Sequence, residues 1–344
     1  MMPPVTIKDV ARAAGVSPKT VSRVMNAEAH VRPAVRDHVL RVVAELDYRP
    51  NAHARSLSSS RSYLIALFFD DPASGYAAEV QVGAMARCRH HGYHLVVERI
   101  DRGGPGALDE VSRTLQALQL AGVILTPPIC DWSDLTDLLD DRGIPFVKLN
   151  SSRTGSSAAV IHIDDYQAAR DMTDHLIALG HRDIAFVQGI VSHDAAGKRL
   201  AGFSDAMRCA GIGIRDAWVQ AGDFSFRSGM AAGDAILSTD DRPSAVFAAN
   251  DEMALGVLVS AARRNIAVPA ALSVVGFDDA PISRMAWPQL TTIRQPNAVL
   301  ASVAIDILAD HSYQQAGDRP ARSVQVPYTF IGRSSSGPLD VQTG

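Results

Sequence analysis

Cysteine is scarce in this chain, and what there is does not pair. Cys88, Cys130 and Cys209 are odd in number and widely spaced, with no CxxC among them. A disulfide framework and a zinc knuckle are therefore both without support, and the expected state is free thiols in a reducing compartment. Long apolar runs are missing too: no stretch approaches the ~20 residues that cross a bilayer. The opening MMPPVTIKDVARAAG has no apolar signal core and carries Lys8, Asp9 and Arg12 early, so the expected location is cytoplasmic, at the nucleoid. No GxGxxG or GxxxxGK[ST] follows the first expected strand, which removes nucleotide-cofactor and phosphate-loop chemistry. No Gly-x-Ser-x-Gly elbow or zincin motif occurs, so the expectation is no enzyme, no cofactor and no bound metal.

What is present can fold. Hydrophobic residues make up 47% and charged residues 20% of 344, enough for a sizeable core and too long for one ordinary domain. The net charge of -4 is unevenly placed. Residues 1–61 hold ten Lys/Arg against five Asp/Glu, whereas the remainder is acidic. A small basic head on an acidic body fits a polyanion-binding module joined to a domain with another task.

The head reads as three helices. Thr6 is placed to cap the first, with Asp9 three residues on, and Ile7, Val10, Ala11 and Ala14 fall on one face. Gly15 stops it. Ser17 caps a second helix with Pro18 at its first position, where the missing N–H costs nothing. Val21 and Val24 point inward, leaving Lys19, Thr20, Ser22 and Arg23 outward. A third helix starts near Pro33 and repeats Val35, Val39, Val42 and Leu46. Two short helices joined by a tight turn and braced by a third is the helix-turn-helix plan, with the basic second helix suited to the major groove. The competing reading is a three-helix bundle that touches no nucleic acid.

TIKDVARAAGVSPKTVSRVMN followed by YRPNAHARSL resembles the start of the LacI/GalR transcriptional regulators. The resemblance implies that Pro18, Lys19 and Arg23 read bases, that Thr20, Ser22 and Asn26 hold phosphates, and that Thr6, Ser17, Tyr48, Asn51 and Ala54 complete the contacts with duplex. It also implies that 51–61 is a hinge and linker, that Arg55 lies near the backbone, and that Leu57 wedges between base pairs of the minor groove beside its twin. A hinge this short needs DNA to become helical. One departure stands out: Arg32 occupies the third helix's cap, where the family has Ser or Thr, which predicts a cap weaker by ~1 kcal/mol.

Beyond residue 62, short apolar runs alternate with helical patterns. Strands are expected at 63–69, 94–98, 123–126, 145–149, 160–163, 184–188, 246–249 and 273–277. Helices are expected at 79–91, 167–179, 199–211 and 252–265. This rhythm implies parallel sheets covered on both faces, with ligands bound beyond the strands' C-terminal ends. Polar pairs gather at those ends: Asp70 and Asp71, Asp164 and Asp165, Asn250 and Asp251, Asp278 and Asp279. Each singly also reads as a helix cap. Tyr76, Trp132, Phe224 and Trp287 offer stacking faces for a sugar, or equally core aromatics.

ALGHRDIAFVQG, GKRLAGF, FAANDEMALGV, SVVGFDD and PQLTTIRQP resemble later family segments in the same order. The implied fold is an all-α helix-turn-helix head (1–50) plus an α/β two-lobed, periplasmic-binding-protein-like (type I) effector domain over 62–340. Its N-lobe would be 62–163 and 293–323, its C-lobe 164–292 and 324–340. The implied effector site is Asp70, Tyr76, Trp132, Asp164, His193, Arg199, Phe224, Asn250, Asp278 and Gln295; His193 reads equally as a surface-loop histidine. The implied function is a repressor acting on a palindromic double-stranded operator as a homodimer, through helices 79–91 and 108–120, with no leucine-repeat tail in 334–344 to build a tetramer. Its affinity would be set by a small-molecule effector, a carbohydrate, with a purine or nucleoside as the alternative. A sugar-transport binding protein and an enzyme on an α/β scaffold are the other classes; the missing export signal and the basic head argue against the first, the missing catalytic motifs against the second.

Overall fold

The computed structural model describes residues 5–25, 31–48, 62–71, 74–151, 158–238, 241–310, 312–313 and 322–339. The chain divides into two compact units, Met1–Tyr63 and Leu64–Gly344. Of the expected DNA contacts, Asn26, Asn51, Ala54, Arg55 and Leu57 lie outside the described residues.

The first unit contains α1 (Ile7–Ala13), α2 (Pro18–Met25) and α3 (Pro33–Glu45). Asp9 secures the start of α1: its carboxylate accepts from the Thr6 amide at 3.0 Å and from the Thr6 hydroxyl at 2.6 Å. Gly15 takes φ +63 between α1 and α2, a left-handed value that favours a residue without Cβ. Ser17 Oγ then accepts from the Thr20 amide at 3.1 Å. At the third helix Arg32 makes no side-chain cap bond, as its chemistry requires. Val10, Ala11, Ala14, Val21, Val24, Val39 and Val42 form one small core, with Ile7, Val35, Leu46 and Tyr48 packed against it.

The second unit is built on two parallel sheets. The first is made of β1 (Leu64–Phe69), β2 (His94–Arg99), β3 (Gly122–Leu125), β4 (Phe146–Leu149), β5 (Ala159–His162) and β11 (Ser323–Gln325), in the order β11-β5-β4-β3-β1-β2. The second contains β6 (Ile184–Gln188), β7 (Val219–Ala221), β8 (Ala245–Ala248) and β9 (Ser273–Val275), in the order β7-β6-β8-β9. A small antiparallel pair, β10 (Thr292–Arg294) with β12 (Thr329–Ile331), lies on segments that pass between the lobes. Central strands such as LIALFF in β1 are buried almost throughout, as a strand covered on both faces must be.

The helices of this unit are α4 (Gly75–His91), α5 (Ala107–Leu118), α6 (Ser133–Asp141), α7 (Asp165–Ala178), α8 (Asp194–Cys209), α9 (Phe226–Leu237), α10 (Asp251–Arg263), α11 (Pro281–Met285) and α12 (Asn297–Ala309). Phe68, Val123, Leu125 and Phe146 pack under α5 and α6 in the N-lobe. In the C-lobe, Phe186 stacks on Phe203 at 4.9 Å and meets Phe247 edge-on at 5.2 Å. Helices α9 and α10 cross backbone to backbone: a Cβ on Gly229 would stand 2.3 Å from the Met253 backbone, and one on Gly256 2.4 Å from the Met230 amide.

Several expectations need correcting. The strand expected at 273–277 stops at Val275; Phe277 is buried and Asp278 turns toward the cleft. Strands β7, β10, β11 and β12 went unforeseen; at three residues each they carry no readable alternation. The N-lobe boundary expected at 323 coincides with the first residue of β11, which pairs with β5.

The α9–α10 contact makes a direct test. Gly229→Ala is expected to destabilise the protein by about 1–3 kcal/mol, lowering the melting temperature by on the order of 5 °C in calorimetry.

Candidate functional site

A cavity of about 250 Å³ lies between the two lobes, close to the small end of the range of ligand sites, roughly 300–1,000 Å³. It forms where both sheets present the C-terminal ends of their strands. Asp70 and Asp71 follow β1, Asn150 follows β4, His193 follows β6, Phe224 follows β7, Asn250 follows β8, and Asp278 follows β9.

Eight of the ten residues singled out from the sequence line this cavity: Asp70, Tyr76, His193, Arg199, Phe224, Asn250, Asp278 and Gln295. Trp132 and Asp164 do not. Trp132 is 8% exposed and packs into the N-lobe core. Asp164 caps α7, its carboxylate accepting from the Gln167 amide at 3.0 Å, which is the plain structural reading of that residue. Trp287 stands away from the cavity and is 90% exposed. Sequence reasoning missed Asn150, which follows the run PFVKL at a strand end; that position was the available signal.

Arg199, buried on α8, organises the floor. Its Nε donates to Asp165 Oδ1 at 2.8 Å and its Nη1 to the Ala249 carbonyl at 2.7 Å. The guanidinium lies 3.7 Å from the centre of the Phe277 ring and 4.0 Å from Asp278 Oδ1. Asp278 accepts from Gln295 Nε2 at 2.6 Å, and Gln295 Oε1 accepts from Asn150 Nδ2 at 3.2 Å, so a hydrogen-bonded chain links the lobes. Burial pushes the Asp278 carboxyl up to about 7, against the pull of Arg199 and Gln295. Burial, then Arg199, holds His193 down at about 4, leaving a neutral imidazole at pH 7.

The backbone is forced at this rim. Asn150 (φ +52), Phe224 (φ +70), Asp278 (φ +117) and Asp279 (φ +56) all take positive φ, tolerable at Asn150 and Asp279 but costly at Phe224 and Asp278. Phe224 is held there by two contacts. Its carbonyl accepts from Asn250 Nδ2 at 2.9 Å, and its ring lies so close over Gly189 that a Cβ there would be 2.1 Å away. Asn250 also caps α10 through Oδ1 on the Met253 amide. Asn150 Oδ1 and His193 Nδ1 are buried with no hydrogen-bond partner in the protein, an arrangement that costs free energy unless a ligand supplies one.

In the first unit, Ser17, Pro18, Lys19 and Arg23 are exposed on α2, while Val21 and Val24 are buried. Thr20 and Ser22 are half-buried. Tyr48 packs against the head's core, and burial raises its phenol. Among the described residues no group of three His, Cys, Asp or Glu is arranged to hold a metal, and no helix is long and apolar enough to cross a membrane.

A helix-turn-helix head and a two-lobed α/β unit with a ligand-sized cleft define a class, the ligand-responsive DNA-binding regulator. Comparison agrees. Residues 6–51 match the model of bacterial regulatory proteins of the lacI family, and residues 173–336 match the periplasmic binding protein-like domain. The chain is 33% identical to catabolite control protein A of Priestia megaterium over 333 residues, 96% of this chain and 99% of that protein. The Lac repressor dimer bound to operator and the anti-inducer ONPF superposes with a TM-score of 0.78 at 31% identity, over 97% of this chain and 100% of that one. The transcriptional regulator CelR in complex with cellobiose gives 0.72 at 28% identity, over 96% and 99%. The chain belongs to the lacI family of bacterial regulatory proteins.

The raised Asp278 carboxyl gives a signed prediction. The folded chain keeps a proton that the unfolded chain releases above pH ~4, so this group's contribution to stability is lost as pH rises toward 7. Depressed His193 acts in the opposite direction between pH ~4 and ~6.5, which makes the difference from a variant the informative quantity. Relative to Asp278→Asn, the parent's melting temperature is expected to fall more steeply from pH 5 to pH 7.

Proposed function

We propose that this protein is a transcriptional repressor that binds a palindromic operator as a homodimer and whose affinity is set by a carbohydrate in the interlobe cavity. The observation that carries the DNA reading is the division of α2. Its apolar residues close the head's core, while Lys19 and Arg23 lie on the opposite, exposed face. A short helix with a basic outer face, capped by Ser17 and turned out by Gly15, fits the major groove. There Arg donates to guanine O6 and N7, and exposed hydroxyls and Lys hold phosphates.

The cavity favours a sugar by its chemistry. Sugar hydroxyls donate and accept at once, and the walls offer both roles: Asp278 and Asn150 Oδ1 accept, while Tyr76 and Arg199 donate. Phe69, Tyr76 and Phe224 supply ring faces for the apolar side of a pyranose. Cellobiose in the related CelR complex is consistent with this reading.

Support for the dimer comes from an apolar stripe on α4. Val82 and Met85 are 61% and 41% exposed, next to the edge strand β2 with Val97 at 38%. Helix α11 begins beside the start of α4, since a Cβ on Gly75 would meet Ala280 at 3.4 Å and Pro281 at 3.6 Å. Met285 and Trp287, at the far end of α11, are exposed as well. Large apolar side chains grouped like this mark a contact surface, and a second copy is the occupant that a palindromic operator requires.

Two outcomes are expected. Arg23→Ala should weaken specific binding by ~1–3 kcal/mol and relax base choice at one operator position in a gel shift against a randomised site; equal weakening on every sequence would demote Arg23 to a phosphate contact. Val82→Asp should shift the protein toward monomer in sedimentation and lower operator affinity, with effector binding kept.

A further inference from the structure

The cavity is strongly one-signed. Asp70, Asp71, Asp223, Glu252 and Asp278 line it, and among the described residues Arg199 is the only lining Lys or Arg, with Arg99 close by Asp70. Arg199 is already committed to Asp165 and the Ala249 carbonyl. The remaining source of attraction for an anion is the set of helix N-termini that open onto the cleft, the usual cradle for phosphate. Three of these are closed by their own caps, whereas that of α8, behind His193, has no side-chain cap bond and carries Asp194 in its first turn. Ser74 Oγ accepts from the Ala77 amide at 3.2 Å, Ser225 Oγ from the Ser228 amide at 3.1 Å, and Asn250 Oδ1 from the Met253 amide at 2.9 Å.

Two of the lining carboxylates come from opposite lobes. Asp71 follows β1 in the N-lobe, and Glu252 is in the first turn of α10 in the C-lobe. After burial, the charge of Asp71 is what raises the Glu252 carboxyl. The walls also point to a ligand independently of charge: Asn150, 4% exposed, and His193, 6% exposed, each keep a polar atom without a partner in the lining of the same cavity.

We propose that the cavity is a charge filter: it admits uncharged polyols, prefers those that carry an ammonium group, and turns away phosphorylated ones, with Asp71 and Glu252 as the residues that enforce the choice. The polyol body occupies the inner walls, where Asn150 and His193 lack partners. The ammonium group sits at Asp71 and Glu252 and relieves the repulsion between the lobes as they close. A phosphate in that place adds negative charge to a site that already holds too much. The inference rests on the effector reading of this cavity and narrows it to a ligand class.

The test is calorimetric titration of the full chain with matched series: glucose, glucosamine and glucose 6-phosphate; galactose, galactosamine and galactose 6-phosphate; and adenosine with adenosine 5′-monophosphate. In any series that binds, the amine is expected to bind several-fold tighter than the neutral member and the phosphate at least about tenfold weaker, with both gaps shrinking at high salt. Glu252→Gln combined with Asp71→Asn should shrink both gaps as well. Asp71 is exposed and Glu252 half-buried, so the variant is expected to fold, which its melting curve checks. A phosphate ester that binds as tightly as its neutral partner, or a ranking unchanged in the double variant, overturns the filter and leaves the effector reading standing. Failure of every compound to bind overturns the effector reading and the filter with it.

Discussion

A guanidinium taken out of water has to be compensated on every side, and the C-lobe is arranged to do this for Arg199. The group stays protonated at any pH a protein meets, so burial cannot be relieved by losing a proton. Its compensation comes from separate segments: Asp165 at the start of α7, the Ala249 carbonyl after β8, and the Phe277 ring after β9. One buried charge thereby fixes the relative positions of the segments that form the cavity floor. Breaking such a pair by removing one member costs ~3–5 kcal/mol, because the other is left charged and unpaired. The same group approaches Asp278 at 4.0 Å, so the floor's structural anchor and its ligand-facing acid are parts of one electrostatic unit.

The next residue extends this unit to the lobe connections. Asp279 accepts from Arg294 Nε at 2.7 Å, and it also accepts from Ser283 and from Arg333. Arg294 ends β10 and Arg333 follows β12, the two strands that lie on the crossings between lobes. Adjacent aspartates, both at positive φ, thus face different tasks: Asp278 faces the cavity and Asp279 grips the connections. Behind them Asp251, buried at the start of α10, accepts from the Thr292 hydroxyl at 2.7 Å and the Ala280 amide at 2.8 Å. A ligand that reorients Asp278 therefore works on backbone that is continuous with the hinge. That is the physical requirement for coupling occupancy to lobe position.

What could be read from the sequence follows what leaves a local trace. The head was legible in detail because a small core needs almost every apolar residue on schedule, and Val10, Val21, Val24, Val39 and Val42 all occupy the expected interior. The long strands were legible as continuous apolar runs, and most of the cavity as polar residues at their ends. The misses have equally physical causes. A tryptophan such as Trp132 carries no mark separating a cavity wall from a core, and an aspartate after a strand serves a cap and a cleft with the same chemistry, so Asp164 was ambiguous until its bond to Gln167 was seen. The three-residue strands are defined by partners far away in sequence, β11 by β5 and β12 by β10, and pairing of that kind has no local signature.

The division of charge between the two units gives this arrangement its direction. The basic head offers exposed cations to a polyanion, whereas the cleft surrounds Arg199, the one guanidinium among its described lining residues and already paired, with carboxylates. A cleft of the opposite sign would compete for the same phosphates the head must bind, and for the phosphorylated metabolites abundant in any cell. Acidic walls remove both competitors at the cost of repulsion between lobes, borne at Asp71 and Glu252. A ligand shifts the balance between lobe arrangements only by the difference in its affinity for them. A cleft that is electrostatically unfavourable when closed and empty provides such a difference, because the ligand that closes it also removes the repulsion.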